Sequence, residues 1–69
     1  MTSKTVNVPG ISCGHCVATI EREVGELEGV GSVKAEQTSR TVTVSWDPAA
    51  TQWDAIEDLM KEINYPPVD

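Results

Sequence analysis

The stretch VPGISCGHCVATIEREVGEL, residues 8–27, contains both the break and the periodicity that decide the fold. Pro9-Gly10 interrupts an alternating polar and apolar segment, residues 5–8, which has the period of a half-buried strand. From Cys16 onward, apolar residues recur every three or four positions, which predicts one face of an amphipathic helix. They are Val17, Ile20, Val24 and Leu27. Gly29 and Gly31 are expected to end this helix and turn the chain.

Two further strands are expected in the middle of the chain. Val33 and Ala35 alternate with charged residues, and residues 41–46 alternate hydroxyl side chains with Val42, Val44 and Trp46. Period-two alternation rich in β-branched residues is typical of strands. Residues 37–39 between them can form a hairpin loop.

A second amphipathic helix is expected in the last third of the chain. Apolar residues between Trp53 and Ile63 recur at helical spacing, and Thr51 is the expected N-cap, with Asp54 three positions later. Asn64-Tyr65-Pro66-Pro67 ends this helix. Only Val68 and Asp69 follow, so a last strand would be very short.

The order of these elements predicts an α+β fold of the ferredoxin-like βαββαβ type. Two helices would cover one face of an antiparallel sheet. The 69 residues are interpreted as one domain, residues 1–69. In this topology the C-x-x-C of Cys13 and Cys16 occupies the first loop and the first helical turn, at one end of the domain.

The charge balance argues against nucleic acid as a partner. The chain has 11 acidic and 5 basic residues, a net charge of -6, whereas nucleic acid requires a basic footprint.

The sequence shows neither an apolar run of transmembrane length nor a secretory leader. We therefore expect a cytoplasmic protein with no nucleic-acid partner and no direct membrane insertion. No enzyme activity is expected, because no catalytic triad or phosphate-binding loop is visible.

The only two cysteines, Cys13 and Cys16, indicate metal binding or redox chemistry. A disulfide between them would close a very short loop and constrain the unfolded chain little. Thiolates are soft donors that bind Cu(I), Zn(II) or iron–sulfur clusters, and a zinc site usually needs four ligands. A helix N-terminus lowers the pKa of a nearby thiol. Cu(I), which accepts two thiolates, is the expected metal, with Zn(II) or another soft metal as the alternative.

Residues 10–16, Gly-Ile-Ser-Cys-Gly-His-Cys, resemble the G-M-x-C-x-x-C metal-binding loop of the heavy-metal-associated domain family. The resemblance extends over nearly the whole chain, including Leu27-Glu28-Gly29-Val30 and the Asn64-Tyr65-Pro66 segment. It implies that Cys13 and Cys16 are the metal ligands and that Ile11 replaces the loop methionine as an apolar anchor. Zinc- and cadmium-exporting relatives often have aspartate where Ser12 stands. The absence of that aspartate here favours Cu(I).

This family includes CopZ-like copper chaperones and the N-terminal domains of copper-transporting P-type ATPases. The resemblance therefore implies a copper chaperone that binds one Cu(I) and transfers it by thiolate exchange to an ATPase domain or to a copper-responsive repressor. We expect a monomer in the absence of metal. A dimer bridged by copper is an alternative that the sequence does not decide. Ser12, His15 and Tyr65 are candidate contacts to the metal thiolates or to the partner.

Two alternative functions stay open on sequence grounds. The chain could be a metal-binding domain excised from a P-type ATPase. It could also be a thiol–disulfide oxidoreductase, because Cys-Gly-His-Cys, residues 13–16, is the active-site tetrapeptide of protein disulfide isomerases. A thioredoxin-like domain, however, needs roughly 100 residues, and its elements follow a different order.

Overall fold

A computed structural model describes residues 2–68 and confirms the predicted order of elements. Three strands and two helices follow one another along the described chain. They are β1 (Thr2–Asn7), α1 (Gly14–Gly25), β2 (Val30–Glu36), β3 (Thr41–Trp46) and α2 (Trp53–Glu62). Neither helix is long and apolar enough to cross a membrane.

The strands form one antiparallel sheet in the order β1-β3-β2. The central strand, β3, aligns Val42 with Val6 on one side and with Ala35 on the other. The expected last strand is reduced, within residues 66–68, to a single bridge between Val68 and Asn7. Asp69, which was also assigned to it, lies outside the described residues.

Both helices pack on the same face of the sheet, as the ferredoxin-like arrangement predicts. Alternation along β3 places Val42 and Val44 in the core with no solvent exposure. The helices contribute four side chains that are equally buried: Ile20, Val24, Ile56 and Met60. Each such aliphatic residue contributes about 1.5–3 kcal/mol through burial. This shared core fixes the position of α1, and therefore of the cysteines at its start.

The ends of several elements differ from the sequence expectation. Strand β1 runs from Thr2 to Asn7 rather than over residues 5–8, although Val8 is still fully buried. Helix α1 ends at Gly25, so Leu27 lies beyond it. Gly31 does not end the helix, because it lies inside β2, where the pairing with β3 shifts register.

Gly29 makes the turn between α1 and β2, as predicted. Its φ of +94° is a backbone conformation that residues other than glycine rarely adopt. A Cβ at this position would lie 2.9 Å from the side chains of Ala50 and Thr51. Both the backbone conformation and the space around it therefore require glycine.

The predicted N-cap of α2 is wrong by one residue. Gln52 occupies the N-cap position in extended conformation, and its side chain makes no capping hydrogen bond. Thr51 instead donates its backbone N–H to the carbonyl of Asp47, 3.0 Å away, within the preceding turn. The predicted acidic residue of the first turn, Asp54, lies where it can interact favourably with the helix dipole.

Candidate metal centre

The metal loop, residues 10–16, is anchored beneath by apolar packing. Ile11 is 1% exposed, and its backbone N–H donates to the carbonyl of Val8 at 3.1 Å across Pro9-Gly10. Val8 itself is fully buried. The chain therefore turns sharply after β1 and enters α1 from a fixed point. Ile11 acts as the apolar anchor that the sequence predicted.

The two cysteines come together across the start of α1. Cys13 is the N-cap residue, in extended conformation, and its carbonyl accepts the N–H of Cys16 at 3.1 Å. This turn brings the two Sγ atoms to 3.7 Å from each other. Cys13 is exposed, whereas Cys16 is buried beside the core. The site thus pairs one accessible thiol with one sheltered thiol.

The pKa of Cys16 is lowered from about 9.0 to about 6 by hydrogen bonds to its thiolate. The largest contribution is from the Tyr65 hydroxyl, followed by the backbone of Ser12, and burial opposes both. The side chains of Cys13 and Ser12 contribute further. The lowered pKa favours the thiolate of Cys16 at neutral pH, and its main causes are hydrogen bonds from specific groups.

Tyr65 reaches Cys16 because the chain reverses after α2. Asn64 adopts a left-handed conformation, φ 68°, which asparagine tolerates better than most residues. The backbone N–H of Tyr65 then donates to the carbonyl of Met60 at 2.8 Å. Its ring lies over Gly10, where an added Cβ would be 3.6 Å from Cδ1. The hydrogen bond to Cys16 also raises the pKa of Tyr65, which therefore stays protonated as a donor.

The other two candidate residues have different surroundings. The Ser12 hydroxyl lies 3.9 Å from the Sγ of Cys16, close enough to contact the sulfur. His15 is exposed between the cysteines, and its carbonyl accepts a hydrogen bond from the Thr19 hydroxyl at 3.0 Å. Within residues 2–68, no group of three or more His, Cys, Asp and Glu residues could hold a metal ion. The two sulfurs, 3.7 Å apart, are the soft donor atoms that the start of α1 brings together.

Sequence reasoning missed one residue beside the loop. The side-chain amide of Gln37, after the end of β2, donates to the carbonyl of Ser12 at 3.4 Å. The contact joins residues 25 positions apart. No local pattern signals it, because the position of Gln37 depends on how the sheet packs against α1.

A dithiol at the first turn of a helix, on a two-helix and three-strand sandwich, defines a small metal-binding or redox-active domain. The heavy-metal-associated domain family matches residues 5–66. The chain therefore belongs to this family, as its metal loop suggested.

Known proteins with similar sequences are associated by name with copper. The chain is 38% identical over 65 residues to the copper chaperone CopZ of Bacillus subtilis (strain 168), covering 94% of each protein. It is also similar to a solved structure, the putative copper-ion-binding protein from Bacillus anthracis str. Ames. That similarity has 36% identity and a TM-score of 0.91, covering 97% of this chain and 94% of the other.

A similar segment also occurs inside a much longer protein. The chain is 33% identical over 66 residues to a probable copper-exporting P-type ATPase of Archaeoglobus fulgidus. The match covers 96% of this chain and 8% of the ATPase. Domains related to this chain are thus found both alone and within copper ATPases.

Proposed function

We propose that this domain binds one Cu(I) through Cys13 and Cys16 and passes it by thiolate exchange to another protein. The observation that carries the proposal is the pair of sulfurs, 3.7 Å apart, with one exposed and the other favoured as thiolate. The copper chaperone CopZ of Bacillus subtilis has a similar sequence over nearly its whole length. We further propose that residues 1–69 are one such domain.

The donor set supports copper in the Cu(I) state rather than Zn(II). Two thiolates satisfy Cu(I), whereas structural zinc is almost always held by four ligands. Thiolate is a soft donor and matches the soft Cu(I) ion. The Bacillus and Archaeoglobus relatives are associated by name with copper, and neither those names nor the described donor set supports zinc.

Transfer can proceed without releasing a free ion. An incoming thiolate from the partner forms a third Cu–S bond, reached from the exposed side beside Cys13. One of the two original Cu–S bonds then breaks, and the second follows when the partner supplies its other thiolate. Copper stays Cu(I) throughout, and no electron is transferred.

The proposed partner is the metal-binding domain of a copper-transporting P-type ATPase. A related segment inside such an ATPase supports this choice, because two similar loops can face each other across one ion. A copper-responsive repressor as partner and a copper-bridged dimer of two chains are further proposals of the same kind. We also propose a cytoplasmic location and no enzymatic activity.

The experiment loads the protein with Cu(I) under anaerobic conditions and mixes it with an ATPase metal-binding domain. Copper is then followed in both proteins after rapid separation. We expect Cu(I) to move to the ATPase domain faster than it is lost to a chelator of equal affinity. Transfer is faster because both proteins bind the ion in a shared intermediate. Transfer limited by the dissociation rate would contradict the proposal. An insulin-reduction assay on the metal-free protein separates it from a thiol–disulfide oxidoreductase, for which turnover is expected.

A further inference from the structure

The turn between β2 and β3, residues 37–40, is attached to the chain on both sides of Pro9-Gly10. Before the break, the N–H of Val8 donates to the carbonyl of Arg40 at 2.7 Å. After it, the side-chain amide of Gln37 donates to the carbonyl of Ser12 at 3.4 Å. Arg40, where the turn contacts Val8, has a left-handed φ of 56°, a conformation that residues other than glycine seldom adopt.

Cys13 is held differently on its two sides. On the C-terminal side, its carbonyl accepts the N–H groups of Cys16 and Val17, at 3.1 and 3.4 Å, and is thus part of the helix. On the N-terminal side, the Ser12–Cys13 peptide is contacted through the Ser12 carbonyl by Gln37. Because a peptide bond is planar, fixing this carbonyl also fixes the direction of the Cys13 N–H and the position of its Cα.

We propose that Gln37 is a positioning residue for Cys13, orienting the exposed thiol toward Cys16 through the Ser12–Cys13 peptide. This inference rests on the proposed function, because the orientation matters when both sulfurs bind one ion. A ligand that is already ordered loses less conformational entropy on binding than a mobile one. Cys16 needs no such support, since it is buried and its sulfur lies 3.9 Å from the Ser12 hydroxyl.

Gln37 contributes little to the fold itself, which makes the role testable. It is exposed and lies outside the strands, so replacing it removes no buried apolar surface. Gln37→Met keeps length and neutrality and removes the donor, whereas Gln37→Lys keeps a donor of similar reach. Thr38→Met is the matched control, at the neighbouring exposed position of the same turn.

Two measurements are made on each variant at physiological ionic strength. Cu(I) affinity is obtained by competition with a chromophoric chelator, and order at the Cys13 amide by ¹⁵N relaxation of the metal-free protein. For Gln37→Met, we expect about two- to twelvefold weaker Cu(I) binding, the range for the net contribution of one hydrogen bond, together with a lower Cys13 order parameter. Gln37→Lys restores both, and Thr38→Met changes neither.

Several results would overturn the inference. One is a Gln37→Met variant with the Cu(I) affinity and Cys13 order of the wild-type protein. Another is a Thr38→Met variant that loses as much affinity and order as Gln37→Met. A third is a loss of stability to urea in Gln37→Met, which would indicate a merely structural role. If the wild-type protein fails to bind Cu(I), the proposed function fails. The relaxation measurement then still decides whether Gln37 orders Cys13.

Discussion

Tyr65, in the chain after α2, and Cys16, in the first turn of α1, shift each other's pKa, lowering that of the thiol and raising that of the phenol. Tyr65 makes the largest contribution to the low pKa of Cys16. Both helices therefore contribute to the same sulfur: α1 carries it, and the reversal after α2 brings its main donor. The ionisation of this buried thiol therefore depends on how the chain after α2 packs against the start of α1.

Tyr65→Phe should raise the pKa of Cys16 from about 6 toward its ordinary value, because it deletes the main donor. The ring, and its packing over Gly10, are kept. The pKa is measured by the pH dependence of iodoacetamide alkylation in a Cys13→Ser background. An unchanged alkylation profile would show that Tyr65 does not stabilise the thiolate.

The unfolding free energy of the metal-free protein should rise between about pH 6 and pH 9. The pKa of Cys16 is lower in the folded state than in the unfolded chain, so the unfolded state binds more protons in this range. The contribution of Cys16 to the unfolding free energy is complete above the pKa that its thiol has in the unfolded chain. It is lost as the pH falls through about 6. Urea titrations at several pH values measure it, and Cys16→Ser should remove the rise. The same rise in Cys16→Ser would assign it to other groups.

Gly29→Ala should destabilise the domain by about 1–3 kcal/mol, the cost of holding a non-glycine residue in a strained backbone conformation. The close approach of Ala50 and Thr51 adds to this cost. Gly25→Ala is the matched control, because a Cβ there meets no atom within 4 Å. Urea denaturation compares the two, and equal effects would contradict the assigned role of Gly29.

Ile11→Met should leave the domain folded, with a stability change below about 1.5 kcal/mol, because the substitution nearly conserves volume. Cu(I) affinity should stay unchanged, since Ile11 anchors the loop and donates nothing to the metal. Ile11→Ala should instead cost about 2–5 kcal/mol through the cavity it leaves. Denaturation and Cu(I) competition test both substitutions. Tighter Cu(I) binding by Ile11→Met would show that a side chain at this position reaches the metal, which contradicts its role as an apolar anchor.

The sequence predicted the elements that rest on periodicity or on a single strong break. The apolar face of α1, the alternation of β3 and the break at Pro9-Gly10 all have local physical causes. Exact ends were less predictable, because β1 gains Thr2 and β2 gains Gly31 through pairing with β3, which depends on distant residues. The N-cap at Gln52 was missed for a similar reason, since Thr51 is occupied by the turn from Asp47.

The candidate site divides in the same way. Cys13 and Cys16 could be selected from their spacing, because an intervening turn of helix brings such residues together. Tyr65 was suggested by family resemblance, but its hydrogen bond depends on the left-handed Asn64. Gln37 had no sequence signal.

The central claim is tested most directly by anaerobic Cu(I) titration in competition with a chromophoric chelator. The wild-type protein should take up one Cu(I) per chain. Cys13→Ser and Cys16→Ser should each weaken binding by at least about tenfold, and the double variant should lose it. Copper uptake by the double variant with wild-type affinity would contradict the account.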